Sequence, residues 1–442
     1  MRNIFLLAFS VAFYAWVDPL NLWLLFYFII LMVVFNLITK SYHRSLKLKF
    51  LFSGFFLLLT LLPLIILKYW GFMLENLKLF AGLEIDWSNP SLPLGLSFLT
   101  FSCLAYQIDV NRGMIEPEWN ILHLSNFLTL FPKLTQGPIA RFNQLKGSLR
   151  DRSFDLERAA SGIRRFIKGF AKKIILADSL AVVSDRVFNL NPGDYGMMVA
   201  LFGLIGYGLQ IFLDFSGYTD MAIGLGQMIG FELPENFDFP YWSKSITEFW
   251  RRWHITLSTW FRDYVFIPLE RRRRNSKILI QPVNILIVFL LTGFWHGASW
   301  NFILWGAFHG LMIVLENSGL SKLLAKLPKF LQHIYAVSLI FLGWIFFKIE
   351  DTGQWVSFFK TLLGGNGLSG VYTLRSLNIL VYWPTLLISI LVGVPFKFFT
   401  RNEFRNSPIY QAAETIGLVI LFVLSISLLL SRGYVAFLYQ QF

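Results

Sequence analysis

Long apolar stretches recur along the whole chain and limit what it can fold into. Each approaches the roughly 20 apolar residues that a helix needs to cross a bilayer. Strands of a membrane barrel would alternate apolar and polar residues, and these stretches do not. The pattern predicts an all-α polytopic bundle with roughly 10–12 membrane helices. The stretches include Leu20–Ile38, Phe50–Leu67, Ile278–Leu291, Leu331–Phe347, Ile379–Val394 and Ile416–Leu430.

Charge is scarce and unevenly placed. Only 15% of the 442 residues are charged, whereas a soluble domain has about 25%. The net charge of +13 comes from short basic segments between apolar stretches, a distribution typical of the inside loops of membrane proteins and not of nucleic-acid binding. We expect a single membrane-embedded domain over residues 1–442, multi-pass in the cytoplasmic (inner) membrane. The basic segments are Lys40–Lys49, Arg141–Lys173, Arg271–Lys277, Lys322–Lys329 and Lys397–Arg405.

Two segments are not predicted to be simple spanning helices. Leu122–Ala140 contains Pro132 and Pro138, and both its flanks carry inside-type charges. A broken, re-entrant segment explains this pattern, because irregular backbone at membrane depth must be buried in protein or line a wet cavity. Arg158–Lys173 alternates bases with apolar residues at helical spacing, which predicts an amphipathic interfacial helix.

The first candidate site surrounds His254, within a segment that we predict to be one helix over Ser245–Val265. On such a helix, a stripe of polar and cationic side chains runs beside a stripe of large aromatic rings. This arrangement suits the wall of a wet passage within a bundle. The alternative is an interfacial helix with snorkelling arginines and an aromatic belt. The polar face comprises Thr247, Arg251, His254, Ser258 and Arg262, and the aromatic stripe comprises Phe249, Trp253, Leu257, Trp260 and Tyr264.

The second candidate is His296, between Trp295 and Gly297 in a region without a nearby acid. Ionisable residues at membrane depth are rare and usually functional. A neutral imidazole there could accept a proton as a general base. The alternative is a core histidine hydrogen-bonded to backbone. The nearby His309 is predicted to be structural.

Other kinds of chemistry are not indicated. The single Cys103 excludes an internal disulfide and is predicted to be a small buried hydrophobe. The histidines lack metal-ligand spacing, and we expect no metal site. Phosphate-binding glycine loops and a serine-hydrolase elbow are absent from the sequence. Nucleotide hydrolysis and a self-contained serine esterase are therefore not expected.

At these motifs the chain resembles the membrane-bound O-acyltransferase (MBOAT) family, in particular its bacterial alginate O-acetyltransferase-like branch. The most specific match is the combination of Phe249–His254 with Trp295–Gly297. The resemblance covers nearly the whole chain. The matching stretches are Pro93–Phe101, Gln136–Arg141, Asp214–Asp220, Pro234–Tyr241, Glu248–Leu269 and Trp295–Trp305.

The resemblance implies the fold and the activity. Family members form a tunnel through the membrane, in which a cytoplasmic acyl donor meets an outside acceptor or relay protein. We therefore expect transfer of an acyl group, above all acetyl, onto hydroxyls of an extracytoplasmic polysaccharide. The donor would be acetyl-coenzyme A or another acyl thioester, with no bound cofactor. A secreted or membrane-anchored esterase-like acyltransferase would be the partner.

The resemblance also assigns roles to residues. The histidine of the Trp-His-Gly stretch is the essential one in this family, which corresponds to His296, and His254 corresponds to its usual partner. Trp253, Trp295 and Trp300 are predicted to shape and dry the passage. The predicted polar support of the substrate site comprises Asp214, Asn236 and Ser258.

Two alternative functions share these features. A transporter of glycan or acyl carrier would also need a polar midplane and broken helices, although the inverted repeat expected of a transporter is not found in the sequence. A catalytically silent platform for a secreted acyltransferase would tolerate replacement of His296 by a neutral residue of similar size. The polymer also stays open among alginate, peptidoglycan, cellulose, capsule and teichoic acid.

Overall fold

The computed structural model describes residues 1–41, 46–82, 87, 90–273, 280–395 and 407–438. Throughout these ranges the regular structure is helical, with two isolated bridges and no strand. The all-α prediction is confirmed. Three of the predicted basic segments extend beyond the described residues: positions 42–45, 274–277 and 397–405 lie outside them.

The described residues form two compact units. The first comprises Met1–Ile163 and Ala222–Pro234, and the second comprises Arg164–Met221 and Glu235–Phe442. The first nine helices are α1 Arg2–Val17, α2 Trp23–Ser41, α3 Leu46–Leu64, α4 Trp70–Ala81, α5 Leu96–Asn111, α6 Ile121–Thr129, α7 Phe131–Leu134, α8 Phe142–Arg150 and α9 Leu156–Ala171. The division between the units after Ile163 falls inside α9. The helices that follow are α10 Asp178–Phe188, α11 Met197–Met228, α12 Ile246–Arg252, α13 Ile255–Phe261, α14 Ile267–Arg273, α15 Ile280–His296, α16 Trp300–Leu315, α17 Ser321–Leu324, α18 Lys329–Lys348, α19 Thr352–Leu362, α20 Trp383–Val392 and α21 Pro408–Arg432.

Several helices are suited to a bilayer. Within the described residues, six helical stretches are long and apolar enough to cross a membrane, and three further apolar helices are shorter. The chain is therefore a multi-pass membrane protein. The six are Pro19–Lys40, Leu48–Ala81, Met197–Met228, Trp300–Leu324, Lys329–Lys348 and Pro408–Arg432, and the shorter three are Arg2–Val17, Ile280–His296 and Leu380–Val392.

The predicted break within Leu122–Ala140 is confirmed in the first unit. Helix α6 ends at Thr129 because Leu130 leaves the helical conformation, with φ −51° and ψ 106°. Pro132 then occupies the first turn of the four-residue α7, where its missing N–H costs nothing. The re-entrant topology of this segment stays a prediction.

The predicted helix over Ser245–Val265 is wrong in its continuity. It consists of α12 and α13, separated at Trp253 and His254, and His254 has a left-handed backbone with φ 45°. The neighbouring segment 235–239 takes the backbone hydrogen bonds that a helix would have used. Asp238 N donates to Arg252 O at 3.0 Å, and Ile255 N donates to Asn236 O at 2.9 Å. A left-handed conformation is uncommon for a residue other than glycine.

Helices α15 and α16 form a hairpin with a closely packed seam. A Cβ atom on Gly293 would overlap the carbonyl oxygen of Phe302, and one on Gly306 would overlap the carbonyl oxygen of Phe289. Small residues let membrane helices approach until their backbones touch. The seam fixes the end of α15, where His296 lies.

The amphipathic helix α9 uses its bases for contacts within the protein. In the second unit, Arg165 lies 2.9 Å and Lys172 2.7 Å from the carboxylate of Asp220 on α11. A Cβ atom on Gly169 would meet the carbonyl oxygen of Gly217 at 2.5 Å, so the two helices are in close contact there. Arg165 on α9 and Lys172 just after it therefore bind the same carboxylate on α11.

Candidate active site

A cavity of about 270 Å³ in the second unit contains both candidate histidines. Its walls come mainly from α12, α13 and α15, with contributions from Ile313 near the end of α16 and from Asn317 beyond it. All five side chains of the predicted polar face line this cavity, although the helix that carries them is broken. The polar lining comprises Thr247, Arg251, His254, Ser258, Arg262, Gln281, Thr292, His296 and Asn317.

The hydrogen bonds of Asn236 fix the tautomer of His254. The Asn236 Oδ1 position lies 3.2 Å from the backbone N of Thr256, 2.9 Å from Thr256 Oγ1 and 3.0 Å from His254 Nδ1. Because a backbone N–H can only donate, the atom facing it must be the amide oxygen. His254 Nδ1 therefore donates to that oxygen, and Nε2 carries the lone pair of the neutral ring.

The surroundings of His254 also favour the neutral form. The ring is 1% exposed and packs edge-on against Phe215, with ring centroids 4.8 Å apart. His254 lies outside the apolar spanning helices, and burial lowers its pKa. It is also the N-cap residue of α13, where the positive end of the helix disfavours a cation. His254 is thus a neutral hydrogen-bond acceptor through Nε2.

His296 has the opposite electrostatic position. It is the last residue of α15, and the negative end of a helix stabilises a protonated imidazole, by about 0.3–1 kcal/mol at exposed sites and more when partly buried. The side chain is 4% exposed. Its ring centroid lies 5.0 Å from that of Trp305 and 5.2 Å from that of Phe347. His296 thus lies at the negative end of a helix, whereas His254 lies at a positive end.

Two of the three predicted tryptophans lie at this site. Trp253 lines the cavity and is 1% exposed. Trp295 contacts both histidines, with its ring centroid 6.2 Å from that of His254 and 4.8 Å from that of His296. Trp300 begins α16, is 51% exposed and does not line the cavity. Aromatic walls exclude water and so strengthen electrostatic effects inside the cavity.

The predicted polar residues are divided between two places. Ser258 lines the cavity, and Asn236 is hydrogen-bonded to His254. Asp214 lies in a buried ion cluster instead, where Lys173 Nζ is 2.7 Å from Asp214 and 2.8 Å from Asp178. Asp214 Oδ2 also accepts a hydrogen bond from Leu438 N at 2.9 Å. This cluster ties the C-terminal segment to α10 and α11.

Replacing Lys173 with methionine is expected to lower the free energy of unfolding by about 3–5 kcal/mol, because two buried carboxylates would lose their cation. The midpoint of thermal unfolding in detergent measures this. Lys168→Met is the matched control, since the Lys168–Glu414 pair is half exposed on the lysine side and such pairs contribute about 0–1 kcal/mol. Equal midpoints for the two variants would contradict the prediction.

Three polar residues of the cavity were not predicted from the sequence. Gln281, Thr292 and Asn317 line the cavity but belong to no motif, and only their position in the fold reveals them.

Two residues that were predicted to be structural are buried. His309 is 0% exposed, with its ring centroid 5.1 Å from that of Trp305, and Cys103 is 0% exposed. Among the described residues, no group of three histidine, cysteine or acidic side chains is placed to hold a metal ion.

Comparison with known proteins gives a consistent set of relatives. The sequence profile of the membrane-bound O-acyltransferase (MBOAT) family matches residues 7–347. A probable alginate O-acetylase of Azotobacter vinelandii is 39% identical over 79% of this chain and 70% of its own length. A peptidoglycan O-acetyltransferase of Helicobacter pylori is 32% identical over 68% and 62%, respectively. A teichoic acid D-alanyltransferase of Bacillus subtilis is 28% identical over 63% and 70%.

Proposed function

Because this chain belongs to the membrane-bound O-acyltransferase family and is therefore an O-acyltransferase, we propose that it transfers an acyl group, above all acetyl, from a cytoplasmic thioester to hydroxyls of an extracytoplasmic glycan or to a relay partner. The observation that carries the proposal is the pair of buried histidines at one cavity, His296 at the negative end of a helix and His254 held by Asn236 with its Nε2 able to accept a hydrogen bond. The glycan is supported by the three kinds of relative, whose names specify alginate, peptidoglycan and teichoic acid.

His296 is the general base in this proposal. The acceptor hydroxyl oxygen attacks the carbonyl carbon of the thioester while its proton passes to the imidazole of His296. The carbon–sulfur bond then breaks, and the thiolate leaves with the proton returned by the imidazolium. The negative end of α15 stabilises this imidazolium. General base catalysis of this kind contributes about 10²–10⁴-fold to the rate.

His254 orients the acceptor. With Nδ1 committed to Asn236, its Nε2 can accept a hydrogen bond but cannot donate one. It therefore cannot polarise the donor carbonyl. A second hydroxyl of the acceptor sugar is the matching group, and holding it places the attacking hydroxyl near the thioester. Its lowered pKa also makes His254 a weaker base than an ordinary imidazole.

The donor and the partner follow from the same proposal. Acetyl-coenzyme A or another acyl thioester supplies the activated group, and the name of the D-alanyltransferase relative shows that acyl groups other than acetyl occur among the relatives. A secreted or membrane-anchored esterase-like acyltransferase completes transfer to the polymer. The protein works in the cytoplasmic (inner) membrane, where the donor is on one side and the polymer on the other.

The direct test uses the purified protein in lipid vesicles with acetyl-coenzyme A labelled in the acetyl group. Release of free coenzyme A, with transfer of the label to added glycan or to the partner esterase, is the expected result. Uptake or movement of the donor without cleavage of its thioester, partner included, would indicate a transporter instead.

Replacing Asn236 with alanine is expected to lower transfer about 10–100-fold, as removal of a residue that orients a functional histidine does at other sites. The variant loses the acceptor that fixes the His254 tautomer. Steady-state rates of acetyl-coenzyme A cleavage in the presence of acceptor measure the effect. Asn236→Asp keeps an acceptor at the same place and should recover most of the rate. Wild-type turnover in Asn236→Ala would show that the tautomer of His254 is not important.

A further inference from the structure

Glu316 is a buried carboxylate that accepts three of its hydrogen bonds from α12. It directly follows α16 and is 2% exposed. Its Oε1 accepts from Ile246 N at 2.7 Å, and its Oε2 accepts from Thr247 N at 2.9 Å and Thr247 Oγ1 at 2.6 Å. The hydroxyl of Tyr335 adds a fourth bond at 3.3 Å. In the part of the chain that the structure describes, no lysine or arginine pairs with this carboxylate.

These bonds complete the N-terminus of a short helix. The first amides of a helix have no partner within it, and α12 has only seven residues. Ser245 Oγ accepts from Glu248 N, which leaves the amides of Ile246 and Thr247 to Glu316. A carboxylate also suits the positive end of a helix. The position of α12 therefore depends on a side chain some seventy residues later in the sequence.

Glu316 joins the two parts of the active site. Helix α12 leads directly into Trp253 and His254, whereas α16 packs along α15, which carries His296. Thr247, which Glu316 binds, lines the cavity, and so does Asn317, the residue after Glu316. We infer that Glu316 is a positioning residue that sets the separation of the two imidazoles, an inference that rests on the proposed function.

The expected effect is on turnover more than on donor binding. Displacing a catalytic group by about 1 Å costs on the order of 10²-fold in rate. Glu316→Gln keeps the size of the side chain but places an amide NH₂ against donors. It should lower kcat about 10–100-fold and leave KM for acetyl-coenzyme A nearly unchanged. Glu316→Asp keeps the carboxylate and should recover part of the rate.

A double-mutant cycle with His254→Asn separates positioning from loss of stability. If Glu316 acts through His254, Glu316→Gln should have no further effect on the residual rate of acyl transfer to added acceptor in the His254→Asn background. Lys173→Met is the stability control: it should lower the unfolding midpoint while the folded enzyme keeps its kcat. Two results would overturn the inference: an unchanged kcat in Glu316→Gln, or effects that simply add. If the wild-type protein fails to cleave the thioester, the proposed function fails instead.

Discussion

Replacement of His296 by alanine is expected to abolish acyl transfer, with a fall of about 10²–10⁴-fold from loss of the general base alone. The side chain is 4% exposed, at the C-terminal end of α15 within the cavity. His254, the other imidazole of the cavity, is a poor substitute because burial lowers its pKa and makes it a weaker base. Acetyl-coenzyme A cleavage by the purified protein in lipid measures the loss.

His296→Gln and His333→Ala make this experiment specific. Glutamine has nearly the size of histidine but cannot act as a base, so an enzyme should lose activity, whereas a silent platform for another transferase would retain function. His333 is a partly buried histidine on α18 that binds Ser243 O at 3.1 Å and does not line the cavity. Its replacement should leave cleavage unchanged. Normal glycan acylation in cells that carry only His296→Gln would refute the assignment.

Replacement of His254 by asparagine is expected to lower turnover about 10²-fold, because the acceptor hydroxyls lose their orienting partner. Asparagine is the informative choice, since it tolerates the left-handed backbone found at this position better than most residues do. The fold should therefore persist, and the unfolding midpoint should stay close to that of the wild type. The apparent affinity for acceptor should fall as well, whereas binding of donor should not.

Separate measurement of donor and acceptor kinetics distinguishes this role from others. A His254 that polarised the donor carbonyl would show its loss in donor cleavage without any acceptor. A His254 that orients the acceptor shows its loss only when acceptor is present. Equal losses in both assays would contradict the orienting role.

The membrane class and the main motifs could be predicted because they depend on local sequence. Apolar runs of spanning length specify membrane helices through the hydrophobicity of neighbouring residues. The resemblance drawn from Phe249–His254 and Trp295–Gly297 is confirmed by the family match over residues 7–347. The grouping of Thr247, Arg251 and Ser258 at one cavity could also be predicted from their helical spacing. Thr247 and Arg251 precede the break in the helix and Ser258 follows it, and all three line the cavity.

The rest depends on contacts between residues far apart in the sequence. Neither glycine nor proline marks the break at His254; the hydrogen bonds of segment 235–239 cause it. Glu316 caps a helix that begins seventy residues earlier. Asp214 was predicted to support the substrate site, but it is paired with Lys173 instead. The sequence pattern around a buried carboxylate does not specify which distant donor or cation it will contact.

The glycine seam between α15 and α16 restricts how this scaffold can change its choice of acyl group. A methyl group added at Gly293 or Gly306 would push apart the hairpin that holds His296. Space for a longer acyl chain is therefore more readily gained at side chains that line the cavity, such as the aliphatic residues Leu257, Ile285 and Val288. Variation in chain-length preference should accordingly accumulate at such positions, while the seam accepts almost none.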